Sequence, residues 1–212
     1  MPLDLSRIRA LCFDIDGTLS DTDDQWTAQF ERLFTPLRFA IPRRELRPFA
    51  RRVVMALESP GNFVYHVLDR MNLDDEAAWL LQAMRRLHAP HSSARAFLLI
   101  PRVDAALRAL AKRYPLAVVS ARGAGGAHAF LTQLDLLPLF TTVVTAQTCR
   151  YTKPYPDPVF AAAEKMGVPA HECLMIGDTV VDIRAGKAAG AQTVGVLCGF
   201  GYESELRRAG AD

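Results

Sequence analysis

The stretch Asp14-Ile15-Asp16-Gly17-Thr18 decides the fold and points to the chemistry of this chain. It follows the apolar run Ile8 to Phe13, which is typical of a buried strand. Because side chains alternate along a strand, we expect Asp14 and Asp16 on one side where the strand opens into a loop. Two crowded carboxylates need a cation or a shared proton between them. The stretch therefore indicates a divalent metal site, an acid/base pair or both; the alternative is a polar loop with an ordinary Asp-Gly turn.

The composition indicates a globular protein without a special partner class. Its 212 residues are half hydrophobic, which is enough for one buried core and a smaller appended unit. The net charge of +2 argues against nucleic acid or an anionic membrane as a partner. The cysteines are widely scattered, so we expect neither a disulfide framework nor a zinc site. Reduced thiols are the default and no apolar run reaches membrane-spanning length, so we expect a cytoplasmic protein. We expect it to be a monomer or a homodimer.

From Pro101 onward, helical and strand patterns alternate. The pattern predicts helices over 103–113, 125–134, 157–166 and 180–189, and strands over 116–120, 141–145, 173–177 and 193–197. Continuous apolar strands separated by helices are typical of an α/β fold, here a doubly wound, Rossmann-like parallel sheet with helices on both faces. Ligands of such sheets bind beyond the carboxyl ends of the strands, where Asp14, Ser120 and Asp178 fall.

Residues 21–97 carry helical patterns only. We expect residues 1–20 and 98–212 to form the core domain with the catalytic site, and 21–97 to form an inserted α-helical domain. Within the insertion, Arg43, Arg47 and Arg51 align at helical spacing. This stripe either presents guanidinium groups to an anionic substrate, with Arg47 as the candidate contact, or is the wet face of a helix.

Four blocks together resemble the motifs of the haloacid dehalogenase superfamily of aspartate-nucleophile phosphotransferases. They are the opening stretch from Asp14, the strand ending at Ser120, the pair Lys153-Pro154, and Asp178 with Asp182, and they follow one another in the order that the family requires. The helical insertion directly after the first block resembles the cap of the phosphoglycolate phosphatase-like branch. In that branch the cap closes over the core site and selects the substrate.

The resemblance implies a Mg²⁺-dependent phosphatase that acts on a small phosphorylated metabolite, such as phosphoglycolate, another small anionic ester or pyrophosphate. Asp14 would attack phosphorus and form an aspartyl-phosphate, while Asp16 would protonate the leaving group and then activate water. The carboxylates of Asp14 and Asp178 and the backbone carbonyl of Asp16 would suit Mg²⁺. Lys153 would add positive charge, and Asp182 would orient Lys153 or a bound water.

The resemblance also implies a substrate-binding set formed by Thr18, Ser120, Ala121 and Arg122. Thr18 and Ser120 would donate hydrogen bonds to the phosphoryl oxygens. Many relatives have Asn after the hydroxyl residue, whereas Ala121 and Arg122 follow Ser120 here. Arg122 either contacts an anionic part of the substrate or is a solvated loop arginine.

Two other functions remain compatible with the same motifs. A phosphomutase would hand the aspartyl-phosphate to a sugar hydroxyl instead of water. A regulatory binding protein would keep the fold without turnover. Phosphonate hydrolysis is disfavoured, because in this superfamily it requires a lysine in the cap, and residues 21–99 contain none.

Overall fold

The computed structural model describes residues 3–21 and 97–212. These residues belong to one compact unit of the chain, formed by residues 1–24 and 97–212. The predicted helical insertion and its arginine stripe, including Arg47, lie outside the described residues, so the division into a core and a cap stays a prediction. In the described part of the chain, no helix is long and apolar enough to cross a bilayer.

Five parallel strands form a single sheet in the described residues. They are β1 (Ala10–Phe13), β2 (Leu116–Val119), β3 (Thr142–Val144), β4 (Cys173–Gly177) and β5 (Gln192–Gly195). The strand order is β3-β2-β1-β4-β5, so the chain builds one side of the sheet first and then crosses to the other side of β1. Phe13 pairs with Val118 of β2 and with Ile176 of β4. The carboxyl ends of three strands therefore lie side by side at the centre of the sheet.

Helices cover both faces of this sheet. They are α1 (Val103–Leu110), α2 (Ala124–Gln133), α3 (Asp157–Met166), α4 (Val180–Ala188) and α5 (Glu203–Arg208). Alternate residues of β1 point to opposite faces: Leu11 and Phe13 pack in a cluster with residues of α1 and α2. Ala10 and Cys12 pack in a second cluster with residues of α3 and α4. The predicted doubly wound, Rossmann-like parallel sheet is therefore confirmed.

Most of the predicted elements in the described range exist, with ends that differ by a few residues. The bounds of α3 and β4 agree with the sequence pattern. Strand β1 ends at Phe13 and β2 ends at Val119, so Asp14 and Ser120 are the first residues after their strands. Helix α5 was not predicted, because it has only six residues and buries only Leu206.

A glycine sets the distance between α4 and the sheet. A Cβ added at Gly186 would lie 2.5 Å from Cγ2 of Thr193 and 2.9 Å from Cβ of Met175. These neighbours belong to β5 and β4, whose positions fix the site at the sheet edge. A helix interior normally favours alanine over glycine, so packing and propensity oppose each other at this position.

We expect Gly186→Ala to lower the free energy of unfolding by about 1–3 kcal/mol, because overpacking outweighs the gain in helix propensity. Gly126→Ala in α2 is the matched control, since an added Cβ there meets no described atom within 4 Å. The control should be stabilised by about 0.5–1 kcal/mol. Urea unfolding of both variants measures the difference. Equal stabilisation of the two would show that α4 is not held closely against the sheet.

Candidate active site

The loop after β1 presents Asp14 at the centre of the sheet edge. The Asp14 amide donates to the carbonyl of Ile176 on β4 at 3.0 Å, which continues the strand pairing by one residue and fixes the backbone of Asp14. Gly17 then turns the chain with a φ of 72°, in the left-handed region that favours glycine. A side chain at Gly17 would also run into the carboxylate of Asp178. The glycine therefore permits both the turn and the close approach of β1 and β4.

A buried lysine joins two carboxylates in the middle of the site. The Lys153 ammonium lies 2.8 Å from Oδ1 of Asp14 and 2.6 Å from Oδ1 of Asp182. Its side chain is only 4% exposed, which rules out the surface position that an isolated lysine usually has. The structure thus brings together three predicted site residues that are far apart in the sequence.

Asp182 serves both the helix end and the lysine. Its Oδ2 accepts hydrogen bonds from the amide of Thr179 at 3.0 Å and from the hydroxyl of Thr179 at 2.6 Å. This is a capping arrangement at the start of α4. Its Oδ1 is bound by Lys153. Because both oxygens are engaged by the chain itself, Asp182 is better placed to orient Lys153 than to serve as a principal metal ligand.

Asp178 is fully buried beside this cluster. Its Oδ2 accepts a 2.8 Å hydrogen bond from the backbone amide of Phe200, in the loop after β5. Its Oδ1 lies 3.4 Å from the hydroxyl of Thr18. The contact from Phe200 was missed in the sequence, because a backbone donor leaves no residue-type signal; only the glycines on either side of Phe200 hinted at a tight loop.

The predicted phosphoryl-binding residues occupy different positions. Thr18 directs its hydroxyl to Asp178, so in this arrangement its proton serves a carboxylate and not a bound phosphate. Ser120 is buried at the end of β2, and its Oγ accepts the amide of Arg122 at 3.2 Å. A hydroxyl oxygen that accepts can still donate its own proton, so this loop contact leaves Ser120 a donor. Ala121, which lies between Ser120 and Arg122 in the loop, is exposed.

Arg122 is not a solvated loop arginine. Its Nε lies 2.7 Å from Oδ2 of Asp16, and its Nη2 lies 2.5 Å from Oδ1 of the same carboxylate. The guanidinium also lies over the rings of Phe97 and Phe130, at 5.8 Å and 5.4 Å from their centroids. The sequence left open whether Arg122 contacts the substrate or solvent, and it gave no sign that its partner is Asp16.

Burial governs the charges of the acids. Burial raises the pKa of Asp14 to about 7, against the attraction of Lys153 and with added repulsion from Asp182 and Asp16. Burial and the same kind of repulsion raise the pKa of Asp178 to about 8. Burial alone would lower the pKa of Lys153, but Asp14 and Asp182 outweigh it and hold this pKa above the usual lysine range. One lysine therefore does not neutralise the cluster.

The acids satisfy the requirements of a site for a hard cation. Asp14, Asp178 and Asp182 each offer a carboxylate oxygen, and these oxygens lie within 4.8 Å of one another. Oxygen ligands from carboxylates are those that Mg²⁺ prefers. A divalent cation would also relieve the repulsion that raises the pKa of Asp14 and Asp178. The donor set thus fits a divalent metal, and Asp182 is the least available of the three acids because Thr179 and Lys153 engage both of its oxygens.

Comparison with known proteins supports the same family. A phosphoglycolate phosphatase of Neisseria gonorrhoeae is 30% identical over 206 residues, covering 93% of this chain and 83% of that protein. A protein of Clostridium perfringens, provisionally named a pyrophosphatase, is 29% identical over 190 residues, covering 89% and 84%. The structure of a predicted phosphatase from Clostridium acetobutylicum has the same fold, with a TM-score of 0.67, 21% identity and coverage of 96% and 91%.

The family model described as haloacid dehalogenase-like hydrolase matches residues 11–196. This range contains the loop after β1, Ser120, Lys153, Asp178 and Asp182. The predicted family is therefore confirmed, and the chain belongs to the haloacid dehalogenase-like hydrolases.

Proposed function

We propose that this chain is a Mg²⁺-dependent phosphatase that hydrolyses a small anionic phosphate ester through an aspartyl-phosphate on Asp14. The observation that carries the proposal is the buried cluster in which Lys153 binds both Asp14 and Asp182 beside Asp178. Phosphoglycolate phosphatases among the relatives support a small carboxylated ester as the substrate class. The phosphomutase alternative gains no support from a solved structure described as a β-phosphoglucomutase of Thermotoga maritima, because that protein is only 22% identical and shows the fold alone.

In the first step, an oxygen of Asp14 attacks phosphorus and the bond between phosphorus and the ester oxygen breaks. The lysine contact uses Oδ1, and among the described residues no hydrogen bond engages Oδ2, so Oδ2 is the nucleophilic atom. The departing alkoxide takes a proton from Asp16, two residues further along the loop. Lys153 holds Asp14 in place and adds positive charge beside the transferred group.

In the second step, water attacks phosphorus of the aspartyl-phosphate. Asp16, now ionised, accepts a proton from this water, and the bond to Asp14 breaks to release inorganic phosphate. Ser120, which can still donate its hydroxyl proton, would give a hydrogen bond to a phosphoryl oxygen. The released phosphate keeps the oxygen of the water, Asp14 is again a free carboxylate, and Asp16 again carries the proton that it gave in the first step.

Asp14 and Asp178, with the backbone carbonyl of Asp16, would hold Mg²⁺, and Asp182 would support the site through Lys153. The ion would supply positive charge that offsets repulsion between an anionic nucleophile and an anionic phosphate. The Phe200 amide keeps Asp178 oriented toward the loop after β1. Thr18 supports the same carboxylate from the other side.

The proposed roles of Asp16 as acid and base and of Asp14 as nucleophile can be distinguished with p-nitrophenyl phosphate, whose leaving group needs no proton. Asp16→Ala should then complete the first step and stall at the second, because no base activates water. We expect a burst of about one nitrophenolate per protein chain. The protein should then carry an acyl phosphate that hydroxylamine removes. Asp14→Asn should give no burst, and Asp104→Asn, an exposed acid on α1, should behave as the unaltered protein. A burst from Asp14→Asn would contradict the assigned nucleophile.

The raised pKa values predict how Mg²⁺ changes stability with pH. A carboxylate whose pKa is raised on folding favours the folded state below its unfolded pKa, and that contribution is lost as the pH rises through the folded value. Metal-free protein should therefore lose stability as the pH rises from about 4 through about 7 to 8, the values for Asp14 and Asp178. Mg²⁺ needs both carboxylates ionised and restores this loss.

The increase in Tm on adding Mg²⁺ should consequently be larger at about pH 9 than at about pH 6. Thermal unfolding with Mg²⁺ and with a chelator measures it. Asp178→Asn should lose most of the shift at both pH values, whereas Asp104→Asn should keep it. An equal shift at both pH values would show that Mg²⁺ does not bind the buried carboxylates.

A panel of phosphorylated compounds tests the reaction itself. With Mg²⁺, phosphoglycolate, pyrophosphate, nucleotides and hexose phosphates are assayed for released inorganic phosphate and, for the sugars, for an isomerised phosphate. We expect phosphate release, lowered roughly a thousandfold or more in Asp14→Asn. Isomer without phosphate release would identify a mutase, and no turnover of any ester would remove the proposed function.

A further inference from the structure

The pair formed by Arg122 and Asp16 has a feature that the proposed reaction does not explain. Both carboxylate oxygens of Asp16 accept hydrogen bonds from the guanidinium, at 2.7 Å and 2.5 Å. A carboxylate held in this two-point manner is turned toward the arginine, and both of its oxygens are engaged. Asp16 has to leave this arrangement before it can give a proton to a leaving group. Something must therefore take its place on the guanidinium.

Arg122 is the fixed member of the pair. Its amide donates to Oγ of Ser120 at 3.2 Å, and its carbonyl accepts the amide of Ala146 at 3.0 Å. Its guanidinium lies over the rings of Phe97 and Phe130, which themselves pack edge to face at 5.5 Å. Asp16 is the more exposed partner, with 32% of its side chain accessible against 18% for Arg122. The carboxylate is therefore the member that can be exchanged.

The two donors of Arg122, Nε and Nη2, form a fork whose chemistry defines what can replace Asp16. Two parallel N–H donors in one plane match a planar group with two oxygens, which is the shape of a carboxylate. In the proposed reaction the ester oxygen lies within hydrogen-bond reach of Asp16. A substrate carboxylate that is joined to the ester oxygen through one carbon would then lie beside the guanidinium of Arg122, to which Asp16 is bound in this structure.

We propose that Arg122 is the receptor for a carboxylate of the substrate, and that Asp16 fills this receptor in the free protein. Binding of a carboxylated ester exchanges one carboxylate for another on Arg122. The released Asp16 takes up a proton from solvent and can then act as the acid. An ester without a carboxylate leaves Asp16 on Arg122, so its first step lacks the proton donor. Selection for carboxylated substrates is thus expressed in kcat as well as in KM. This inference rests on the proposed phosphatase function and names its substrate class.

Phosphoglycolate and ethyl phosphate test the exchange, because they differ only in a carboxylate against a methyl group. The unaltered protein should hydrolyse phosphoglycolate with a kcat/KM higher by roughly 10- to 100-fold, the range expected for hydrogen bonds to a charged group. Its kcat should also be higher. Equal kcat/KM for the two esters would overturn the inference while leaving the phosphatase intact, and this comparison needs no variant. Hydrolysis of neither ester, nor of any other in the panel, would remove both proposals.

Arg122→Gln should then change the two substrates in opposite directions. The kcat/KM for phosphoglycolate should fall by roughly 10- to 100-fold, and kcat for ethyl phosphate should rise because Asp16 is released. A merely structural role of Arg122 would lower both, which would overturn the exchange. Arg122→Lys, which keeps the charge and loses the fork, should resemble Arg122→Gln with phosphoglycolate.

Arg113→Gln is the matched control for loss of one positive charge. Arg113 lies over the ring of Tyr114, just before β2 and therefore at the opposite end of that strand from Ser120. It should leave both esters unchanged, and thermal unfolding should show that all variants are folded. If Arg122→Gln lowers kcat/KM more for pyrophosphate than for phosphoglycolate, the receptor binds a second phosphate. That result would overturn the proposal that it binds a carboxylate.

Discussion

The buried lysine between two carboxylates is the interaction on which the site depends. Lys153 is enclosed with Asp14, Asp182 and the neighbouring Asp178, so the protein has removed more negative than positive charge from water. Burying ions costs several kcal/mol each unless they are paired, and one ammonium cannot pair three carboxylates. The packed clusters on both faces of the sheet supply the stability that tolerates this cost. What remains is an excess of acidic groups at a fixed position, which a cation or bound protons must offset.

The parallel sheet makes this concentration of charge possible. Asp14 follows β1 and Asp178 follows β4, and the pairing of Phe13 with Ile176 sets these strand ends side by side although the residues are far apart in the sequence. The loop before α3 then brings Lys153 to the same edge, and the start of α4 brings Asp182. Asp182 also caps the start of α4, and Asp178 also accepts the amide of Phe200. The site carboxylates therefore satisfy backbone groups of the fold as well as forming the site.

The sequence predicted this edge of the sheet well and its local contacts poorly, for a physical reason. Apolar strands that end in polar residues define both the sheet and its carboxyl edge, so Asp14, Ser120 and Asp178 could be assigned to one place. Contacts made by backbone groups, such as the amide of Phe200 on Asp178, depend on how a loop folds and leave no trace in residue type. The pairing of Arg122 with Asp16 was equally hidden, because their residues are distant in sequence and either could have met solvent. Asp14 and Asp16 were expected to share a cation or proton, yet each carboxylate is bound by a different basic side chain.

Asp14 and Asp16 are bound by different basic side chains, and the two ion pairs differ in how easily a competing anion can reach them. The pair of Lys153 with Asp14 is nearly inaccessible, at 4% and 9% exposure, and removing one partner of a buried pair costs roughly 3–5 kcal/mol. The pair of Arg122 with Asp16 is partly exposed, at 18% and 32%, so an anion from solvent can reach it. A substrate anion can therefore compete for Arg122 but not for Lys153. In the proposed cycle, the nucleophile Asp14 keeps its position and the acid Asp16 is the group that an incoming carboxylate displaces. The different burial of the two pairs accounts for this difference.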